Sequence, residues 1–147
     1  MIEPLAVALH GVKQTTAAEG QVGVVGGAGP IGLLVAAVLK AKGLKTIISE
    51  VSQIRREKAQ SSGVADVVVD PTSEDLKAIV SEQTSDAMAD VAFDAAGAAP
   101  VVGQLLDVLG HRSPAGHRHP WQTGRGRSHR QTDDAGSDPR CQRRLCR

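Results

Sequence analysis

Gly27, Gly29 and Gly32 stand in a Gly-x-Gly-x-x-Gly spacing with Pro30 and Ile31 inside it, between a short apolar run, Val22-Gly23-Val24-Val25, and a longer one over residues 31–39. That order describes a strand, a tight glycine turn and the start of a helix. The chemistry such a turn serves is the binding of a dinucleotide pyrophosphate. The first glycine permits the turn, the second lets the backbone approach the phosphates, and the third lets helix and strand pack closely. The phosphates then lie at the helix N-terminus, where free N–H groups and the helix dipole favour negative charge.

The spacing alone also fits any glycine-rich turn of an α/β protein, so the neighbouring elements decide. The helix is expected to run to Lys42 and stop at Gly43, and a β-branched strand follows at Thr46-Ile47-Ile48. Glu50 lies just past that strand, roughly 20 residues beyond the glycines, where a carboxylate accepts hydrogen bonds from the adenosine ribose hydroxyls. The same carboxylate repels the extra phosphate of NADP, so NAD rather than NADP is the expected cofactor. Arg55 and Arg56 pull the other way, because an arginine there can take a 2′-phosphate.

The elements that must hold this turn alternate. A helix is predicted over residues 5–18, entered through Pro4 with Leu5, Ala8, Leu9 and Val12 on its apolar face. After the glycine unit come a helix over 52–61 ending near Gly63, a strand over 65–69, and a turn at Asp70-Pro71-Thr72-Ser73-Glu74. That turn feeds a helix over 74–82 with Thr72 or Ser73 as its N-cap. Val91-Ala92-Phe93-Asp94 reads as a fourth strand, and residues 99–109 as a last helix with Val101, Val102, Leu105, Leu106 and Leu109 at helical spacing. Strands alternating with helices imply an α/β fold, an incomplete, Rossmann-type, doubly wound parallel sheet of about four strands.

The 147 residues leave room for one domain. There is no run of eighteen apolar residues and the N-terminus lacks the zones of a signal peptide, so a cytoplasmic protein without a membrane partner is expected. Residues 1–109 carry eight Lys and Arg against thirteen Asp and Glu, a net of −5, whereas residues 110–147 carry nine against three, a net of +6. Every lysine precedes the boundary, and only six of the last thirty-eight residues are apolar, too few for a core. Two domains of character result: a partial nucleotide-binding domain over 1–109 and a disordered, arginine-rich tail over 110–147.

Three segments resemble the cofactor domain of the zinc-dependent medium-chain alcohol dehydrogenases, in the branch of sorbitol and 2,3-butanediol dehydrogenases. They are Ile2-Glu3-Pro4-Leu5-Ala6-Val7-Ala8-Leu9-His10-Gly11-Val12, Gly26-Gly27-Ala28-Gly29-Pro30-Ile31-Gly32 and Val91-Ala92-Phe93-Asp94-Ala95-Ala96-Gly97. The resemblance covers residues 2–109. It implies that Gly27, Gly29, Pro30, Ile31 and Gly32 line the pyrophosphate, that Glu50 holds the ribose and that Arg55 lies near the adenosine. It also implies a homo-oligomeric parent enzyme whose catalytic zinc sits in a separate N-terminal domain on Cys and His ligands. Nothing in this sequence matches that domain, so no metal or catalytic residues are assigned and turnover by this chain alone is not expected. Glu3 matches an acid that approaches the zinc site in relatives, but one carboxylate cannot hold catalytic zinc. His10, on an apolar helix, reads as a packed core residue.

The departure comes at Gly110. Relatives continue with a glycine turn and an apolar strand, whereas here His111-Arg112-Ser113-Pro114 follows. Arginine, histidine, proline and glycine without lysine are what a GC-rich gene yields in a wrong frame. Residues 110–125 can be re-read one base later, with allowed codons, as ATGRLLVIGTHGKPVE, which restores an apolar strand; a frameshift is therefore expected. The competing reading is a non-enzymatic binding module whose tail contacts nucleic acid through Arg125-Gly126-Arg127 and nearby arginines. Trp121 is the tail's one aromatic, which leaves base stacking poor, and His111, His117, His119, His129, Cys141 and Cys146 match no zinc spacing.

Overall fold

The computed structural model describes residues 2–110. The readings that fall on residues 111–147, namely the nucleic-acid tail, the His and Cys group and the altered frame, lie outside the described residues. The element order is α1 (Ile2–Lys13), β1 (Val22–Gly26), α2 (Pro30–Ala41), β2 (Lys45–Ser49), α3 (Gln53–Ser62), β3 (Val67–Val69), α4 (Leu76–Thr84), β4 (Val91–Asp94) and α5 (Ala99–Val108). The strands form one sheet in the order β3-β2-β1-β4. All three pairings are parallel, with Val24 opposite Ile47 on one side and Ala92 on the other. This is an α/β, doubly wound Rossmann-type arrangement: the chain steps outward from β1 through β2 to β3, then crosses back to place β4 on the other side of β1.

Both faces of the sheet are covered, which is why the inner strands read as continuous apolar runs rather than alternating ones. On one face Val25, Ile48 and Val68 pack with residues of α1, α2 and α3, including Val12, Val35, Leu39 and Ala59. On the other, Val24, Ile47 and Val69 pack with Leu76 and Val80 of α4 and Leu105 and Val108 of α5. Two carboxylates close the sheet's N-terminal end. Asp66 accepts from Thr46 N at 2.8 Å and pairs with Lys40 Nζ at 2.9 Å, and Asp90 accepts from Val22 N at 3.0 Å.

Four expectations need correction. Helix α1 ends at Lys13, not near residue 18, because the Thr15 hydroxyl donates to the Val12 carbonyl at 2.8 Å and the chain leaves for a turn at Gly20. Only Ala8 and Val12 of the expected apolar face are buried; Leu5 and Leu9 remain exposed, and so does His10, which is a surface residue rather than a core one. The N-cap of α4 is Asp75, whose side chain accepts from Lys77 N and Ala78 N, not Thr72 or Ser73. Thr72 is occupied in a turn of its own, with its N and Oγ1 on Asp70 Oδ1 at 3.0 and 2.6 Å.

Past α5 the backbone turns extended at Leu109, which bridges Ala89 in the parallel sense, and Gly110 N donates to Ala89 O at 2.8 Å. The chain therefore arrives at the outer side of β4 in the direction a fifth parallel strand would take.

Candidate functional site: the glycine turn between β1 and β4

Each glycine of the turn has its own steric reason. Gly27 follows β1 with φ of +101°, a region side chains rarely adopt, and a Cβ there would lie 3.0 Å from the backbone N of Ala96. A Cβ on Gly32 would collide with the Gly27 carbonyl oxygen, so only glycine lets α2 start this close to β1. Gly29 is different. A Cβ there would meet nothing within 4 Å, so its backbone borders open space rather than protein.

That open space is where α2 begins. Pro30 occupies the first turn, where its missing N–H costs nothing, and Leu33 N closes the ladder onto Gly29 O at 2.9 Å. The N–H groups of Ile31 and Gly32 precede that first helical bond and carry the positive end of the helix dipole. Ile31 and Pro30 lie exposed at the rim while Gly27, Ala28 and Gly32 are buried. A backbone cradle with free N–H groups and no side chain in it fits a pyrophosphate.

The turn is held in place by Glu50, only 5% exposed. Its Oε2 accepts from Ala28 N at 2.7 Å, inside the turn, and its Oε1 accepts from Ser52 N at 2.9 Å. Gly27 N donates to Ser49 O at 2.7 Å, so the last residue of β2 and the one after it carry the glycine turn on two bonds. An ionised carboxylate offers about four acceptor sites, so two N–H donors leave room for two more. Hydroxyls of a ribose are donors of the right kind.

The two arginines part company. Arg55 is exposed at 61%, with its Nη1 3.8 Å from Glu50 Oε2, at the mouth of the site. Arg56 is turned inward: Nη1 donates to Glu50 O at 2.9 Å and to Val51 O at 2.6 Å, and Nη2 pairs with Asp70 Oδ2 at 2.9 Å. Asp70 is positioned by the Thr72 hydroxyl and N–H on its Oδ1, which with the Arg56 charge hold its carboxyl below the usual carboxylate range. The opposite wall comes from β4. Asp94 Oδ1 accepts from Ala96 N and Gly97 N, both at 3.0 Å, and so fixes the small-residue loop that faces Gly27.

The structure therefore brings Gly27, Gly29, Pro30, Ile31, Gly32, Glu50 and Arg55 together beyond the C-terminal ends of β1 and β2, beside the β1–β4 boundary where strand order reverses. The roles of the Ala28 amide, Arg56, Asp70 and Asp94 are not legible from spacing. The Asp70-Pro71-Thr72 pattern announces a turn, but not what its free carboxylate oxygen will meet.

Residues 30–113 match the family model described as zinc-binding dehydrogenase. The chain belongs to the zinc-binding dehydrogenase family. An (R,R)-butanediol dehydrogenase of Neisseria gonorrhoeae is 49% identical over 109 residues, which are 74% of this chain and 30% of that protein. A sorbitol dehydrogenase of Halalkalibacterium halodurans is 41% identical over 111 residues, 74% of this chain and 32% of that one. Among solved structures, the 2R,3R-butanediol dehydrogenase of Bacillus subtilis superposes with a TM-score of 0.67 at 36% identity, covering 74% of this chain and 31% of that one. This member of the zinc-binding dehydrogenases thus spans about a third of the length of the curated relatives it matches. Among the described residues no group of three or more His, Cys, Asp or Glu converges on a point that could hold a metal. Glu3 and His10 lie exposed on α1.

Proposed function

We propose that this chain is the NAD-binding portion of a zinc-dependent alcohol or polyol dehydrogenase. The observation that carries the reading is the Glu50 carboxylate bonded to the Ala28 amide inside a glycine turn whose middle residue, Gly29, borders open space. The turn's N–H groups take the pyrophosphate, Glu50 takes the adenosine ribose hydroxyls, and Arg55 lies beside the adenosine. NAD, once bound, supplies a hydride acceptor. The protein's part at this site is binding and orientation, and no acid, base or metal chemistry is assigned to it. With Arg56 engaged on the Glu50 and Val51 carbonyls, Arg55 is the one of the two neighbouring arginines left to meet a 2′-phosphate, and Glu50 stands against one.

Residues 1–109 hold this function in the reading, and residues from 110 onward are read in a shifted frame. The backbone reaching the outer side of the sheet at Leu109, where a further strand would begin, supports that division, and the family match ends a few residues beyond it, at residue 113. Resequencing the gene across codon 110 tests it. A single added or lost base restoring an apolar strand is expected, and an intact frame would overturn it. Calorimetric titration of the full chain with NAD and NADP tests the site: measurable binding with NAD the tighter is expected, and no heat with either nucleotide would refute the reading.

A further inference from the structure

We infer that Asp70, which lines no part of the glycine turn, sets the nucleotide preference of the site by holding Arg56 on the Glu50-Val51 carbonyls. The inference rests on the proposed dinucleotide site and adds to it a residue that acts at one remove, as a positioning residue. Asp70 sits at the end of β3, one strand further out than Glu50, and the ladder joins the two places through Glu50 N on Val69 O at 3.0 Å. Its two carboxylate oxygens are divided. Oδ1 is taken by the N–H and hydroxyl of Thr72, which leaves Oδ2 aimed at Arg56 Nη2 at 2.9 Å. Arg56 and Asp70 are 19% and 20% exposed, so the pair is partly shielded from water, unlike Arg55.

Two consequences follow from the geometry. The guanidinium bridges β3 to the β2–α3 turn, fixing the segment from which Glu50 projects. It is also kept from the mouth of the site, which lies on the same turn as Arg55. Without the Asp70 charge, Arg56 keeps two carbonyl acceptors but loses its ionic partner, and a phosphate at the ribose 2′ position offers it a replacement of the same sign. Guanidinium and phosphate suit each other in charge and fork geometry. Asp70 therefore acts as a specificity residue without touching the nucleotide.

The test is calorimetric titration of the full chain and its variants D70N, R56A and D70N/R56A with NAD and NADP, alongside thermal melts. Asparagine keeps the size of the side chain and an acceptor for Thr72, so D70N is expected to fold. The ratio of the NADP to the NAD dissociation constant is expected to fall about fivefold in D70N, the scale of a partly exposed ion pair. R56A alone should not lower the ratio, and D70N/R56A should return it to the R56A value. Equal weakening of both nucleotides in D70N, or a lowered ratio that survives in the double variant, would overturn the inference while leaving the site intact. A wild-type chain that binds neither nucleotide would overturn the site and the inference together.

Discussion

Strands β1 and β4 are neighbours in one sheet, yet every residue of β1 is buried while Val91, Ala92 and Phe93 of β4 are only half-buried and Asp94 is exposed. The difference is one of partners. β1 is paired with β2 over all five residues and with β4 over Gly23–Gly26, whereas β4 has β1 on one side and, among the described residues, only a bridge from Leu109 to Ala89, just ahead of the strand, on the other. Residues with neighbours on both sides and helices on both faces have nowhere to relax. The glycine turn grows from the fully enclosed strand, so its backbone geometry is set by the core rather than by a ligand. The half-covered side supplies only a wall, the loop held by Asp94.

Breaking the enclosed side should produce the largest effects. Gly32→Val forces a Cβ into the Gly27 carbonyl and is expected to cost about 3 kcal/mol or more, as overpacking against backbone does. Chemical denaturation measures it, and a near-wild-type midpoint would show that α2 can back away from β1. The two strands can then be compared directly. Val24→Ala, at a fully buried site of β1, should lose about 2 kcal/mol. Val91→Ala in half-buried β4 should lose about 1 kcal/mol. Equal losses would mean that burial in the described residues does not report how firmly each strand is held.

Glu50→Gln sharpens the comparison at the site itself. The amide replaces one acceptor with a donor that faces a backbone N–H, so a loss of about 1–3 kcal/mol is expected, together with weaker NAD binding. Undiminished stability would mean that Glu50 does not carry the turn. Acid gives a smaller and more diffuse effect. Burial acts to raise the Asp66 carboxyl, but the Thr46 N–H and Lys40 outweigh it and the pKa is lowered in the fold; Asp70 is lowered by Thr72 and Arg56. A carboxyl depressed by folding contributes stability above its unfolded pKa and loses it as pH falls through the folded one. Stability should therefore decline below about pH 4, and Asp66→Asn should flatten that decline in melts followed by circular dichroism. The smallest effect belongs to the outer surface of α5. Leu106→Gln, at a residue 51% exposed, should change stability by no more than about 0.5 kcal/mol. A larger loss would show that the Leu106 side chain is packed more firmly than its exposure indicates.

Much of this architecture is legible in the chain. The four strands and the helices after β1, β2 and β4 lie within a residue or two of where the apolar runs and glycines place them, and Gly63 in the left-handed region ends α3 as its position suggests. Local pattern succeeds there because period, cap and turn residues agree with one another. It fails where several residue types compete for one job. Thr72, Ser73 and Asp75 can all cap α4, and the choice falls to Asp75 because Asp70 has already taken Thr72. On α1, spacing marks an apolar face but cannot say how wide the surface opposite it is, so Leu5 and Leu9 stay in solvent.

The sequence by itself determined the order of elements, the parallel sheet and the glycine turn, because steric freedom at Gly27 and Gly32 and the periodicity of apolar side chains are properties of short segments. Only the tertiary structure decided what meets across the sheet. Glu50 reaches Ala28 across 22 positions of chain, and Arg56 meets Asp70 rather than the mouth of the site. The register between β1, β2 and β3 sets both encounters, and register is fixed by the packing of two sheet faces at once, which no single segment encodes.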